Sequence, residues 1–273
     1  MNSLSLIVIF FEKMPLQYIF LSHDVDWRKQ GPPKEHVLNR AERFDESTIR
    51  NIDSKNPYYN FPQYMEIEER FDARSTFFFR TKYENGDVTD YEDEISSLKK
   101  GGWEIGLHCD PSSIYDLAKI RQEKEILESL TRTKVFGNRV HYLGFNNELP
   151  KKLQELGFVY DSTVKNSKDQ IIKEDFGFFQ LERLFEFPIT LMDAYMFTYM
   201  GLSEEQVLPV VQKALNESRQ INASFNIMTI IWHDNVLQMK GGRMYKKILE
   251  FLTQQDDVKI CTGINLVNIL KNA

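Results

Sequence analysis

Short apolar runs alternate with stretches of helical periodicity along most of this chain. Tyr18-Ile19-Phe20-Leu21 is the first run. Ser75-Thr76-Phe77-Phe78-Phe79 is the second, and Trp103-Glu104-Ile105-Gly106-Leu107, opened by Gly101-Gly102, is the third. Shorter runs fall at 134–137, 158–161 and 185–190, and the strongest late one spans 225–232. These runs are too short for typical helices and are rich in aromatic and β-branched residues, which predicts strands. Between them lie helical patterns. Ser203-Glu204-Glu205-Gln206 reads as a capping box, followed by Val207, Val210, Val211 and Ala214 at helical spacing. Ser113 to Asp116 reads as another helix start, and further helices are expected near 94–100, 149–156 and 244–252.

Strands alternating with helices predict a largely parallel sheet. Their number predicts an α/β fold: a distorted (β/α) barrel of about seven mostly parallel strands surrounded by helices. No repeat or low-complexity linker divides the chain, so 14–273 reads as a single catalytic domain. Within it, 29–70 is the least regular part and is expected to form an insertion over the barrel mouth. A helix is expected near 34–44, and the aromatic stretch 58–64 is open to packing or to stacking on sugar rings.

Composition narrows the functions. Of 273 residues, 42% are hydrophobic and 27% charged, ordinary for a chain that buries a core. The net charge of −6 gives no electrostatic footprint for nucleic acid. The two cysteines, Cys109 and Cys261, are expected to be reduced thiols of a cytoplasmic protein. The apolar run at 4–11 is too short to span a bilayer and lacks the basic start of an export signal. Residues 1–13 are therefore expected to be an upstream extension or a short extra strand.

Of five histidines, four lie in segments that follow or belong to a predicted strand. These segments are Ser22-His23-Asp24-Val25-Asp26, Gly106-Leu107-His108, Arg139-Val140-His141-Tyr142 and Ile231-Trp232-His233-Asp234. On an extended chain Asp24 and Asp26 share a face and His23 points away. Two such carboxylates can divide labour, one binding a cation and the other taking a proton from water. His108 is a natural second ligand, since imidazole with carboxylate suits zinc and other divalent metals. Arg139 can orient a carboxylate through its fork of donors, and His141 either completes the metal site or contacts substrate. His233 shares the parity of Phe225, Ile227 and Ile231 and is placed to protonate a leaving amine. Asp234 is its neighbour or a helix cap.

In order and number these segments resemble the motifs of the polysaccharide deacetylase superfamily of carbohydrate esterases, over most of the chain from about Phe20 to His233. The resemblance implies that Asp24 is the catalytic base, Asp26 a metal ligand, Arg139 the support of the base and His233 the general acid. Tyr160-Asp161-Ser162-Thr163 and Phe187-Pro188 with Met192-Asp193 resemble the family's later motifs. Asp193 or Asp161 would then orient His233, with Asp193 carried forward as a site residue. The pattern departs from the family in two places. The second metal histidine, four residues after His108, is replaced by Ser112, and a proline of the family is replaced by His141. The two changes are read together, with His141 as third ligand beside Asp26 and His108.

The resulting expectation is a metal-dependent hydrolase, with zinc as cofactor, that removes an N-acetyl group from a sugar or polysaccharide. Metal-bound water would be the nucleophile. The partners expected are a carbohydrate substrate, no nucleic acid and no transmembrane segment. The alternatives are a deacylase of a non-sugar C–N bond and a catalytically weak carbohydrate-binding homologue.

Overall fold

The computed structural model describes residues 16–221 and 225–273, so the stretch 1–13 lies outside the described residues. Ten strands form one sheet: β1 (Gln17–Val25), β2 (Thr76–Phe79), β3 (Glu104–Cys109), β4 (Gly137–Val140), β5 (Tyr160–Asp161), β6 (Phe179–Leu181), β7 (Leu184–Glu186), β8 (Leu191–Met192), β9 (Asn226–Ile231) and β10 (Val258–Cys261). Their order is β8-β9-β1-β2-β3-β4-β5-β7-β6, and β10 pairs with the first half of β1. Every pairing is parallel except β6 with β7. The helices are α1 (Lys34–Leu38), α2 (Glu46–Arg50), α3 (Phe61–Arg70), α4 (Glu92–Lys100), α5 (Leu117–Thr131), α6 (Leu149–Glu155), α7 (Asp193–Thr198), α8 (Glu204–Gln220), α9 (Met244–Thr253) and α10 (Gly263–Lys271). This is the predicted α/β class, a curled and mostly parallel sheet surrounded by helices. The sheet has ten strands among the described residues where about seven were expected: the run expected at 185–190 is β7 at its start, and β6, β8 and β10 are additional.

The curl follows from side-chain contacts. Three strands separate β1 from β5, which in a flat sheet would put them about 19 Å apart. Yet the rings of Phe20 on β1 and Tyr160 on β5 lie 5.7 Å apart, edge to face, and Phe187 is 5.6 Å from Phe20. With Phe78, these rings fill the barrel interior. Gly137 and Gly106 are where this packing needs no side chain: a Cβ would stand 2.0 Å from the Tyr160 ring at Gly137 and 2.5 Å from Phe78 at Gly106. Alternation on β1 puts Phe20, Ser22 and Asp24 on the inner face. Ile19, Leu21 and Val25 face the helices in the main core. All nine residues of β1 are buried, as expected of a parallel strand covered on both faces.

Local signals set several helix ends. The Ser203 and Gln206 box caps α8, with Gln206 Oε1 accepting from Ser203 N at 2.8 Å. The helix expected from Ser113 begins later: 113–115 is a 3₁₀ turn, and Asp116 caps α5 by accepting from Ala118 N at 2.9 Å. Of the stretch 29–70, α1 and α2 pack around their own small cluster of Val37, Phe44 and Tyr58. The last ten residues are a regular helix, α3, whose Phe61 and Tyr64 sit in the main core. The aromatic side chains Tyr58, Phe61 and Tyr64 are buried, which makes packing their role.

Candidate metal centre and active site

The carboxyl ends of β1, β3, β4 and β9 meet at one place. One ligand atom each from Asp26, His108 and His141 lies within 4.8 Å of the others. His108 Nδ1 donates to the Arg139 carbonyl at 3.0 Å, which fixes its tautomer and turns the lone pair of Nε2 toward Asp26 Oδ1, 3.2 Å away. His141 Nε2 stands 3.6 Å from the same oxygen. Burial pushes the His141 imidazole down to about 4, with His108 and Arg80 adding to this against the pull of Asp26. It is therefore neutral at neutral pH, as a ligand must be. Asp26, although burial opposes it, is held well below the usual carboxylate range by the His108, His233 and His141 imidazoles around it.

This donor set fits a divalent cation. Donors about 2.0–2.2 Å from a tetrahedral zinc stand roughly 3.3–3.6 Å from one another, and the two oxygen–nitrogen separations here are 3.2 and 3.6 Å. His141 Nδ1 is buried without a hydrogen-bond partner among the described residues, so no protein group draws on this ring and its Nε2 lone pair is free to face the cluster. Ser112 is turned away: its N–H and hydroxyl both donate to Asp110 Oδ1, at 2.8 and 2.7 Å. Cys109 is buried and its thiol lies 3.6 Å from the Asp110 carbonyl.

Two acid–base groups border the cluster. Asp24 is buried, with Oδ1 accepting from Arg139 Nη1 at 2.6 Å and Oδ2 3.8 Å from His108 Nε2. Burial raises its pKa, but Arg139 and the histidines outweigh that, and the carboxyl is held below its usual range. Arg139 is fully buried and bonded at every nitrogen: to Ser162 O, Ser22 Oγ, Asp24 Oδ1 and Ser162 Oγ, with its guanidinium 4.4 Å over Phe78. His233 Nδ1 meets Asp193 Oδ1 at 2.6 Å, its N–H donates to Asp193 Oδ2 at 2.9 Å, and its Nε2 faces Asp26 Oδ2 at 3.6 Å. Burial lowers the His233 pKa, but Asp193, Asp26 and Asp24 push it up to about 10. Asp161, the alternative partner, stays on β5, where it accepts from Asn138 and Thr163. Asp234 is buried with an unpartnered Oδ1, and burial beside Asp26 raises its pKa.

The sequence did not reveal what holds this end of β9. Asn60, just before α3, and Tyr64 and Glu68 within it lie four residues apart on one face, all fully buried. Asn60 Nδ2 donates to Asp234 O at 3.1 Å, and Tyr64 OH to His233 O at 2.9 Å. Glu68 Oε1 meets His23 Nε2 at 2.8 Å, and His23 Nδ1 meets Trp232 O at 2.5 Å. Three successive carbonyls around His233 are thus clamped from one helix face. His23 points away from Asp24 and Asp26 and belongs to this clamp. A repeat of four from Asn60 through Tyr64 to Glu68 was the available signal, hidden among aromatics. A second feature of the rim is strain: Tyr142 and Leu143 have φ of +58° and +56°, and the Tyr142 ring stacks on His141 at 3.8 Å. Left-handed non-glycine residues cost of order 1–3 kcal/mol each and gather at functional sites.

Solved structures share the architecture. A protein described as a polysaccharide deacetylase from Mycobacterium smegmatis superposes with a TM-score of 0.67 at 19% identity, over 96% of this chain and 92% of that one. Another described so, from Pseudomonas aeruginosa PAO1, gives 0.66 at 12% identity over 92% and 89%. The PuuE allantoinase gives 0.65 at 12% identity over 94% and 91%. No protein-family model and no curated protein matches the sequence. At these identities the likeness establishes the fold, the curled barrel of these deacetylases. Among the described residues, no helix is long and apolar enough to cross a membrane.

Proposed function

We propose that this protein is a metal-dependent hydrolase that removes an N-acetyl group from a sugar. The observation that carries the reading is the pairing of two differently prepared proton carriers with one ligand cluster. Asp24 is kept ionised by Arg139, and His233 is kept protonated by Asp193; each lies within 4 Å of a ligand atom. Asp26, His108 and His141 would hold the cation, which when bound polarises an acyl carbonyl and lowers the pKa of water. Asp24 offers Oδ2 as proton acceptor, because Oδ1 is engaged by Arg139. His233 carries a proton on Nε2 toward the site and gives it to the departing amine, which leaves poorly as an anion. Asp193 holds the ring so that Nε2 is the nitrogen presented. A cavity of about 760 Å³ opens from Asp26 and His233 and is lined by Trp27 and Phe197. This is room for a sugar with aromatic faces against which it can lie.

The test is acetate release from N-acetylated mono- and oligosaccharides by the metal-loaded protein, with N-acylated non-sugar amides and ureides as a second panel. The reading predicts release from sugars, reduced about 10²–10⁴-fold by Asp24→Asn with metal retained. Release from the second panel alone would move the activity to a non-sugar C–N bond. Sugar binding without release would leave a carbohydrate-binding protein.

A further inference from the structure

A second cavity, of about 270 Å³, lies on the His141 side of the ligand cluster and reaches Asp26. Two arginines line it, Arg28 and Arg80, with Tyr83 and Glu84. Arg80 follows β2, and its side chain is only 18% exposed. Its Nε is buried with no hydrogen-bond partner among the described residues. Its Nη1 reaches only the Asp26 backbone carbonyl, at 3.4 Å, and its Nη2 stands 3.7 Å from Asp110 Oδ2, too far for a hydrogen bond. Arg28 spends two donors on the carbonyls of Gly31 and Asn85, at 3.1 and 3.2 Å, and has no carboxylate in ion-pair range among the described residues. Tyr83 is 8% exposed, and its hydroxyl, also buried, has no partner among the described residues.

A guanidinium carries five N–H donors, and buried donors are nearly always met. Arg80 and Tyr83 line one cavity beside the ligand cluster and each keeps an unmet donor; Arg80 Nε and the Tyr83 hydroxyl are themselves enclosed, so Arg80 meets the cavity through its Nη groups. With the Asp26 carboxylate engaged by a cation, the formal charges left on the lining of this cavity are two arginines and the exposed Glu84, with the Asp110 carboxylate 3.7 Å from Arg80 outside the lining. The planar fork of arginine matches the two oxygens of a carboxylate or phosphate, which a sugar hydroxyl does not offer.

We propose that this cavity is an oxyanion subsite in which Arg80, supported by Tyr83 and Arg28, binds a carboxylate or phosphate that the substrate carries close to its scissile amide. The enzyme then acts on acidic N-acyl sugars in preference to neutral ones. This rests on the deacetylase reading for the sugar but not for the anion.

Dissociation constants measured by titration calorimetry test it, on metal-loaded protein in an Asp24→Asn background so that ligands are not consumed. The probes are N-acetylglucosamine, its 1-phosphate, N-acetylmuramic acid and the non-sugar N-acetylglycine. The acidic sugars should bind about 10-fold or more tightly than the neutral one, the scale of a charge-assisted hydrogen bond. Arg80→Gln should abolish that preference while changing neutral binding less than about twofold, and Tyr83→Phe should weaken acidic binding about two- to fivefold. Comparing the phosphate and carboxylate arms identifies the anion. An acid preference confined to N-acetylglycine and lost in Arg80→Gln keeps the subsite and overturns the sugar. Equal binding of acidic and neutral ligands, binding of none, or a uniform loss on Arg80→Gln overturns the subsite. Should Arg80→Gln fail to fold, Tyr83→Phe carries the same comparison.

Discussion

Replacing Glu68 by Gln probes how the clamp from α3 is held together. Glu68 is fully buried. Its Oε1 accepts from Ser75 Oγ at 3.0 Å and Tyr245 OH at 2.7 Å and meets His23 Nε2; its Oε2 accepts from Trp103 Nε1 at 2.8 Å. An amide keeps one acceptor and turns the other into a donor. If its oxygen stays with Ser75, Tyr245 and His23, its NH₂ faces the indole N–H, which cannot rotate or accept. One unmet buried donor costs about 1–3 kcal/mol. Urea unfolding of the two proteins, compared at equal slope, measures this directly. Adding Trp103→Phe to the Glu68→Gln protein removes the opposed donor and should recover about 1–3 kcal/mol of hydrogen-bond mismatch, offset by whatever indole packing is lost. A Glu68→Gln loss under about 1 kcal/mol would refute the reasoning, because a single unmet donor already exceeds it.

Further outcomes concern the proton carriers and a buried acid pair. His233→Ala should keep metal and fold but lose about 10²–10⁴-fold in amide hydrolysis, and much less on an activated ester whose leaving group needs no proton; equal losses on both would point to a substrate-binding role. Asp161 and Glu186 are buried together, each with one oxygen unpartnered among the described residues, and burial raises both pKa values, so the folded protein retains a proton that the unfolded chain releases. Stability should therefore fall as pH rises above the ordinary carboxylate range, and Glu186→Gln should flatten that fall between pH 5 and 8 in urea titrations. An unchanged slope would mean that the pair holds no proton.

The sequence exposed those parts of the fold and site where apolar pattern and rare chemistry coincide. β1, β3 and β9 are mostly apolar before their functional ends, so both strand and site residues stood out. β4 was expected at 134–137 and lies at Gly137–Val140, because its buried side chains include Asn138 and Arg139, which read as loop. β10 was missed because Lys259 interrupts a four-residue strand of partly exposed residues. The choice between Asp161 and Asp193 could not be made from spacing, since it depends on which strand end lies beside β9. β8 pairs with β9 and brings Asp193 there, whereas β5 sits four strands beyond β1. Arg80 and Tyr83 gave no signal at all: an arginine after an apolar strand is ordinary until its neighbours prove to be unmet donors.

The central claim is that Asp26, His108 and His141 hold one catalytic cation, and elemental analysis tests it most directly. Protein loaded with zinc and dialysed against metal-free buffer should retain about one ion per chain, the stoichiometry of a three-ligand catalytic site. Asp26→Ala, His108→Ala and His141→Ala should each lose most of it, while Ser112→Ala should not. A wild-type protein that retains none, or a His141→Ala protein that stays fully occupied, would contradict the account.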